Sequence, residues 1–227
     1  MATTYLHRTP GSPGNRRTWT VSAWVKFAAI GDKMMIFTGG TSGSDETVIA
    51  LDDACTLRCY QWTGSYDWHY ETSRLLRDPS AWYHIVVAAD TTNAVADDRI
   101  KIYINGTRYT GPWDSEVVPS LNQDTNIMNS DPQKIGNRPT DANYFNGVMA
   151  HVHLIDGTQY AASDFGETDA TSGIWVPKTG PSVTYGTQGG FYKFASGALG
   201  TDSSGNGNTM TVSGTMTNTK DTPDNNF

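Results

Sequence analysis

Cleaving a glycosidic bond takes two carboxyl groups on one face, about 5 to 9.5 Å apart. A strand can supply them at alternate positions, as in a Glu-x-Asp-x-x-Glu run. The glutamates of this chain are Glu46, Glu71, Glu116 and Glu167, and none stands in that spacing. Asp45-Glu46 and Asp52-Asp53 are adjacent pairs, and neighbours on a strand point to opposite faces. No serine nucleophile elbow, phosphate loop or His-Glu metal helix is present. The residue pattern supports no catalysis.

Metal ligands are sparse. His151 and His153 on one strand would share a face, with Cβ atoms roughly 6 to 7 Å apart, within reach of one ion. A transition metal usually needs a third ligand, and two polar residues on an outer face is the expected reading. His84 reads as a structural, hydrogen-bonding histidine. Calcium suits the oxygen-rich turn Asp202, Ser203, Asn206 and Asn208 better, with Asp97-Asp98 as another loop. The same residues also serve ordinary turn chemistry by bonding their own backbone. Calcium is thus a candidate cofactor on Asp202, Asn206 and Asn208. Cys55 and Cys59 lie four apart in an expected strand, with Cα atoms about 13 Å from each other. A disulfide needs about 7 Å, so both are expected as free packing thiols.

The aromatic cluster Trp62-Thr63-Gly64-Ser65-Tyr66-Asp67-Trp68-His69-Tyr70 is the main candidate for binding. Rings stack on the apolar faces of sugars, while Asp, Asn and Ser meet the hydroxyls. Trp113, after Gly111-Pro112, and Tyr144 could join from neighbouring loops. The candidate ligand residues are therefore Trp62, Tyr66, Asp67, Trp68, Trp113 and Tyr144. A flat patch for a neighbouring protein would use the same rings, and alternation along a strand would place half of them in the core.

The elements that must position these residues are strands. Trp82 to Val87 and Ile100 to Ile104 are apolar runs around a short acidic loop. The second closes on Asn105-Gly106, a dipeptide that tolerates the positive φ of a two-residue hairpin. Trp19, Val21, Ala23, Val25 and Phe27 alternate onto one face. Lys33 to Thr38, Glu46 to Leu51, Thr56 to Trp62 and Tyr66 to Thr72 read as further strands, the last three as a meander. A late strand over 145–157 should turn Val148, Ala150, Val152 and Leu154 to the core. One short helical turn is expected at Ala161 to Phe165, capped by Ser163 or Asp164. Asn105-Gly106-Thr107 matches a glycosylation acceptor, but turn geometry already accounts for it.

The 227 residues carry a formal net charge of −7, which argues against nucleic acid or an anionic membrane as the main partner. No apolar run approaches membrane-spanning length, so no membrane insertion is expected. The N-terminal residues show no signal-peptide pattern. Lysine, glutamate and leucine are sparse, while glycine, threonine, asparagine and tryptophan are plentiful, which leaves little material for helix. The expected fold is all-β: one two-sheet antiparallel sandwich over 1–214, with a polar C-terminal segment over 215–227.

The order Trp82-Tyr83-His84, apolar run, then Tyr103-Ile104-Asn105-Gly106 resembles laminin-G-like, concanavalin A-like sandwiches. Tyr5 to Pro10 leading to Trp19–Lys26, Tyr144 to Gly147, Asp156-Gly157, Phe165-Gly166-Glu167, Gly173 to Pro177 and the 189–208 block resemble lectin domains on marine bacteriophage virion proteins. Two departures stand out: the family usually has a strand before Tyr5, and usually continues into further domains. The resemblance implies an all-β jelly-roll sandwich serving as a non-catalytic component at the virion surface, made in the host cytoplasm without a signal peptide. Its partner would be a host-surface glycan. The alternative is a structural subunit of capsid, fibre or tail that contacts other virion proteins, binds no sugar and forms homo-oligomers.

Overall fold

A computed structural model describes residues 3–224. The larger sheet holds eight strands in the order β10 (Trp113–Val117), β6 (Tyr66–Leu75), β5 (Thr56–Trp62), β4 (Asp45–Leu51), β3 (Met34–Ser42), β11 (Gln133–Ile135), β1 (Tyr5–Arg8) and β16 (Thr211–Ser213). The smaller holds six: β15 (Gly190–Tyr192), β12 (Gly147–Asp156), β2 (Thr18–Phe27), β7 (Tyr83–Asp90), β8 (Ile100–Ile104) and β9 (Thr107–Tyr109). Neighbouring strands in both sheets are antiparallel. This is the expected two-sheet sandwich, and its described helical content is two single 3₁₀ turns, Ala96–Asp98 and Ala162–Asp164. The second is the expected turn, with Asp164 accepting the backbone N–H of Ala161.

Period-2 alternation makes the core. Trp19, Val21, Ala23, Val25 and Phe27 are all buried, as are Ile85, Val87 and Ala89 of β7 and Ile100, Ile102 and Ile104 of β8. They meet Leu6, Phe37, Ile49, Leu51, Leu57, Cys59, Trp68 and Tyr70 from the larger sheet. Both cysteines are free and buried. The Asn105-Gly106 hairpin forms with φ of 50° and 82° at its two central residues. Gly106 is required twice over there, since a Cβ would also stand 2.8 Å from the Trp175 ring.

One face assignment is corrected. The pairing of β12 with β2 shifts register between Ala150 and His153, where His151 takes φ 48°. Such a bulge inserts one unpaired residue and flips alternation on one side of it. Met149 therefore packs against the core together with Val152 and Leu154, while Val148 and Ala150, opposite Lys26 and Trp24, point to the outer face.

The outer face of the smaller sheet is covered. Val86 and Ile155 are buried under Ala162 and Phe165, with Tyr160, Trp175, Val183 and Tyr185 packed around them. The covering segment carries its own ribbon, β13 (Gly166–Thr168) paired with β14 (Trp175–Pro177). His84 and His153 are buried beneath it. Trp175 Nε1 donates to His84 Nδ1 at 3.0 Å, so the ring proton sits on Nε2, 2.9 Å from Ser22 Oγ, and the ring stacks on Trp24. His84 is thus the expected structural histidine. His153 is on the outer face as expected but is not solvent-facing: it is 2% exposed, stacks on Phe191 with centroids 4.0 Å apart, and meets the Tyr185 hydroxyl at 2.9 Å.

After β16 the chain lies against the sandwich. Met216 packs on the core edge, and Asp221 accepts hydrogen bonds from Lys26 and from Trp82 Nε1. The last residues of the polar terminal segment, 225–227, lie outside the described residues. Among the described residues no helix is long and apolar enough to cross a membrane.

Candidate functional site

With one sheet face covered, the other outer face, on the larger sheet, is where large polar and aromatic side chains gather. Strand alternation sends Leu57, Cys59 and Gln61 of β5 inward and Arg58, Tyr60 and Trp62 outward. Across the ladder Tyr60 pairs with His69, and Trp62 with Tyr66, so β6 adds two more rings. Trp62 and Tyr66 meet edge to face at 4.8 Å, and Tyr66 stacks on His69 at 4.4 Å. The loop over 136–146 lies across the same face. Met35 N–H donates to the Asn143 carbonyl, and Arg138 forks onto Glu46 from β4 through Nε and Nη2. Between loop and rings lies a depression of about 190 Å³, lined by Lys33, Asp52, Arg58, Tyr60, Tyr66, Arg138 and Asn143, with Met35 and Ala50 beneath.

The polar groups here hold one another in place. Arg58 donates to Asp52, to His69 Nε2 and to the Tyr66 hydroxyl. Because His69 Nε2 accepts, its proton is on Nδ1, directed at Ser115 Oγ 2.8 Å away. Burial and the adjacent Arg58 charge push the His69 pKa down to about 4, so the ring is neutral at physiological pH. Burial would raise Asp52, but hydrogen bonds from Lys33, the Asp53 N–H and Arg58 outweigh it and hold the carboxyl at about 2. Glu46 is fully buried and also accepts the Tyr60 hydroxyl. Both carboxylates are held in ion pairs, Asp52 with Lys33 and Arg58, and Glu46 with Arg138.

Of the ligand residues expected from sequence, only Trp62 and Tyr66 come together on this face. Trp68 is a correction. It pairs with Gln61, on the inward side of β6, and is 0% exposed. Trp113 is on edge strand β10, half-buried against the core, with its ring against Tyr70 and Tyr109. Asp67 accepts from Gln61 Nε2 and Thr63 Oγ1, which pins the hairpin and leaves it outside the depression. Tyr144 meets Tyr5 at 6.1 Å on the far side of the loop.

The calcium candidates Asp202, Asn206 and Asn208 close a turn through their own hydrogen bonds. Asp202 Oδ1 accepts the N–H groups of Phe191 and Ser204, and Oδ2 accepts the N–H of Asn208 and the Ser204 hydroxyl. Asn206 and Asn208 turn their amide nitrogens, not their oxygens, inward, donating to the carbonyls of Gly186, Thr187 and Gly189. A carboxylate surrounded by donors is a turn-closing group. Among the described residues no group of three or more His, Cys, Asp or Glu could hold a metal.

Arg58 and Tyr60 were missed as site residues, although the Arg-x-Tyr-x-Trp alternation in β5 carries the signal; His69 lies within the aromatic cluster of the sequence but was not singled out. Arg138 and Asn143 had no local signal, because their place depends on β11 pairing with β3.

Two antiparallel sheets packed face to face around one core make a jelly-roll sandwich. The family model for the concanavalin A-like lectin/glucanase superfamily, of laminin-G type, matches residues 3–163. The chain belongs to that superfamily. No curated protein matches it. Among solved structures it is similar to a protein from Bacteroides ovatus described as carbohydrate binding, with TM-score 0.51 and 18% identity over 93% of this chain. The chain spans 57% of that protein's length. A heptameric SAP-like pentraxin from Limulus polyphemus aligns with TM-score 0.50 and 16% identity, covering 79% of this chain and 87% of the pentraxin. Identities this low carry the fold alone.

Proposed function

We propose that this chain is a non-catalytic glycan-binding module that recognises sugar on the outer face of its larger sheet. The observation that carries this reading is the ring platform of Tyr60, Trp62 and Tyr66 beside a polar depression, on the sheet face that the covering segment leaves open. Tyr66, 37% exposed, is the most exposed ring of the three. Arg58, Asp52 and Asn143 border the depression at hydrogen-bonding positions for hydroxyl groups. A glycosidase would need a carboxyl with a raised pKa to protonate the leaving group. Asp52 is held at about 2, and Glu46 is forked by Arg138. The purified protein is expected to release no reducing sugar from β-glucan, agar or host polysaccharide. Turnover abolished by replacing a single Glu would overturn the non-catalytic reading.

Glycan arrays with purified protein test the binding. Tyr66→Ala should weaken the bound glycan about tenfold, as expected for one stacked ring of about 1–2 kcal/mol, with little change in melting temperature. An array without a hit, or a Tyr66→Ala variant that binds like the parent, would remove this reading.

The place of the module is a bacteriophage particle surface, where it mediates attachment to the host. Support comes from the sequence blocks Tyr5–Pro10, Tyr144–Gly147 and Gly173–Pro177, which resemble phage virion lectin domains. Antibody raised to the purified protein should label intact particles, and free protein should compete with particle adsorption. Unlabelled particles would exclude this placement.

A further inference from the structure

We infer that the depression on the larger sheet selects acidic saccharides, those carrying carboxylate or sulfate groups, over neutral ones. This rests on the glycan-binding reading and names the class of sugar. The chain as a whole carries a net charge of −7, yet the lining of this depression holds the cations Lys33, Arg58 and Arg138 against a single carboxylate, Asp52. The ion pairs are also layered. The Asp52 side chain is 7% exposed beneath Lys33 at 40% and Arg58 at 21%, and Glu46 is 0% exposed beneath Arg138 at 29%. In the Asp52 and Glu46 pairs the carboxylate lies underneath and the cation faces outward; Arg58 also has Glu71 Oε2 at 3.6 Å, equally exposed, so Lys33 and Arg138 are the positive ends an approaching ligand meets first.

Donor capacity remains at that surface. Among the described residues Lys33 Nζ has one ion-pair partner, Asp52 Oδ1 at 3.0 Å, against three N–H groups it can offer. Arg138 uses Nε and Nη2 on Glu46 and lies against Tyr60, and its planar, permanently charged fork lines the depression. Glu46, fixed below, keeps that guanidinium oriented before any ligand arrives. The Lys134–Asp141 pair has the opposite order, with the carboxylate outermost, but neither residue lines the depression. The rings of Tyr60 and Tyr66 on the other wall supply stacking for the sugar body. The arrangement therefore suits a pyranose with one anionic substituent turned toward Lys33 and Arg138.

Affinity electrophoresis of the full chain through gels containing polygalacturonate, dextran sulfate or dextran provides the test. At least one charged polymer should retard the protein while dextran does not, and retardation should fall steeply as salt rises. Lys33→Glu should weaken that binding by roughly tenfold or more, since it reverses a charge at the rim. Lys178→Glu, on the covering segment, should leave it unchanged. Circular dichroism verifies that both variants fold. Absence of retardation by both polyanions overturns the inference, as does equal loss in the two variants. If neutral glycans instead bind in a Tyr66-dependent way, the charge selectivity fails while the glycan reading stands. If no glycan binds by any assay, both fall.

Discussion

Acidification from pH 7 to 4 is expected to remove roughly 3 kcal/mol of stability through His84 alone. Buried under the covering segment, with His151 as a secondary influence, His84 takes a proton only near pH 3 in the folded state. The unfolded chain takes it at the ordinary imidazole value near 6.5. Between those limits the unfolded state binds more protons, so stability rises with pH. The contribution is complete above about 6.5 and is lost progressively toward 3. Burial first, and then the charges of His151, His84 and Lys193, also hold His153 well below its ordinary value, which adds loss in the same direction. Geometry opposes protonation too: a proton on His84 Nδ1 would face the Trp175 N–H, donor against donor. Asp52, held at about 2, adds its own loss only below its ordinary carboxylate range near 4. Urea midpoints at pH 7.5, 5.5 and 4 give the measurement. A flat profile over that range would show that these histidines are not buried neutral.

The second large effect is at Trp68. Its indole is 0% exposed among core residues of both sheets, with Tyr70 as a ring neighbour, so Trp68→Ala should cost about 3–5 kcal/mol through lost contact and cavity. For a domain this size that lowers the melting temperature by roughly 10 °C or more. Trp68→Phe should be far milder. Trp68 Nε1 has no hydrogen-bond partner among the described residues, so the smaller ring removes a buried donor that contributes no bond. Calorimetry on the two variants separates the roles. A Trp68→Ala protein that melts with the parent and loses glycan would return this ring to the binding surface.

Why Trp68 was misplaced shows what a sequence of this kind reveals. Trp62, Tyr66 and Trp68 flank one turn at Gly64-Ser65, and composition marks all three as candidates. Their faces depend on register across the hairpin, which shifts between Gln61 and Trp62. A one-residue shift decides which rings enter the core. The same holds at His151, where a bulge invisible to periodicity turned Val148 and Ala150 outward. Regular stretches were readable: Trp19 to Phe27 and the Asn105-Gly106 hairpin stand as expected, because unbroken alternation and positive φ are local properties. The site divides along the same line. Arg58, Tyr60 and Trp62 could be counted off one strand, whereas Arg138 reaches Glu46 only because strands far apart in the chain became neighbours.

The position of β1 also sets the timetable of assembly. It lies between β11 and β16, with Tyr5 paired to Ser213. A ribosome that adds about 5–20 residues per second delivers the last partner of this strand roughly 10 to 40 seconds after the strand itself. Until then one side of β1 presents unpaired backbone groups, the kind of edge that invites pairing between chains. Contacts between such distant residues also place the domain among slow folders, in the range of milliseconds to seconds or beyond. Fragments that stop before Thr211 should therefore accumulate as aggregates when expressed, and a chaperone that shields this edge should raise the yield of the complete chain.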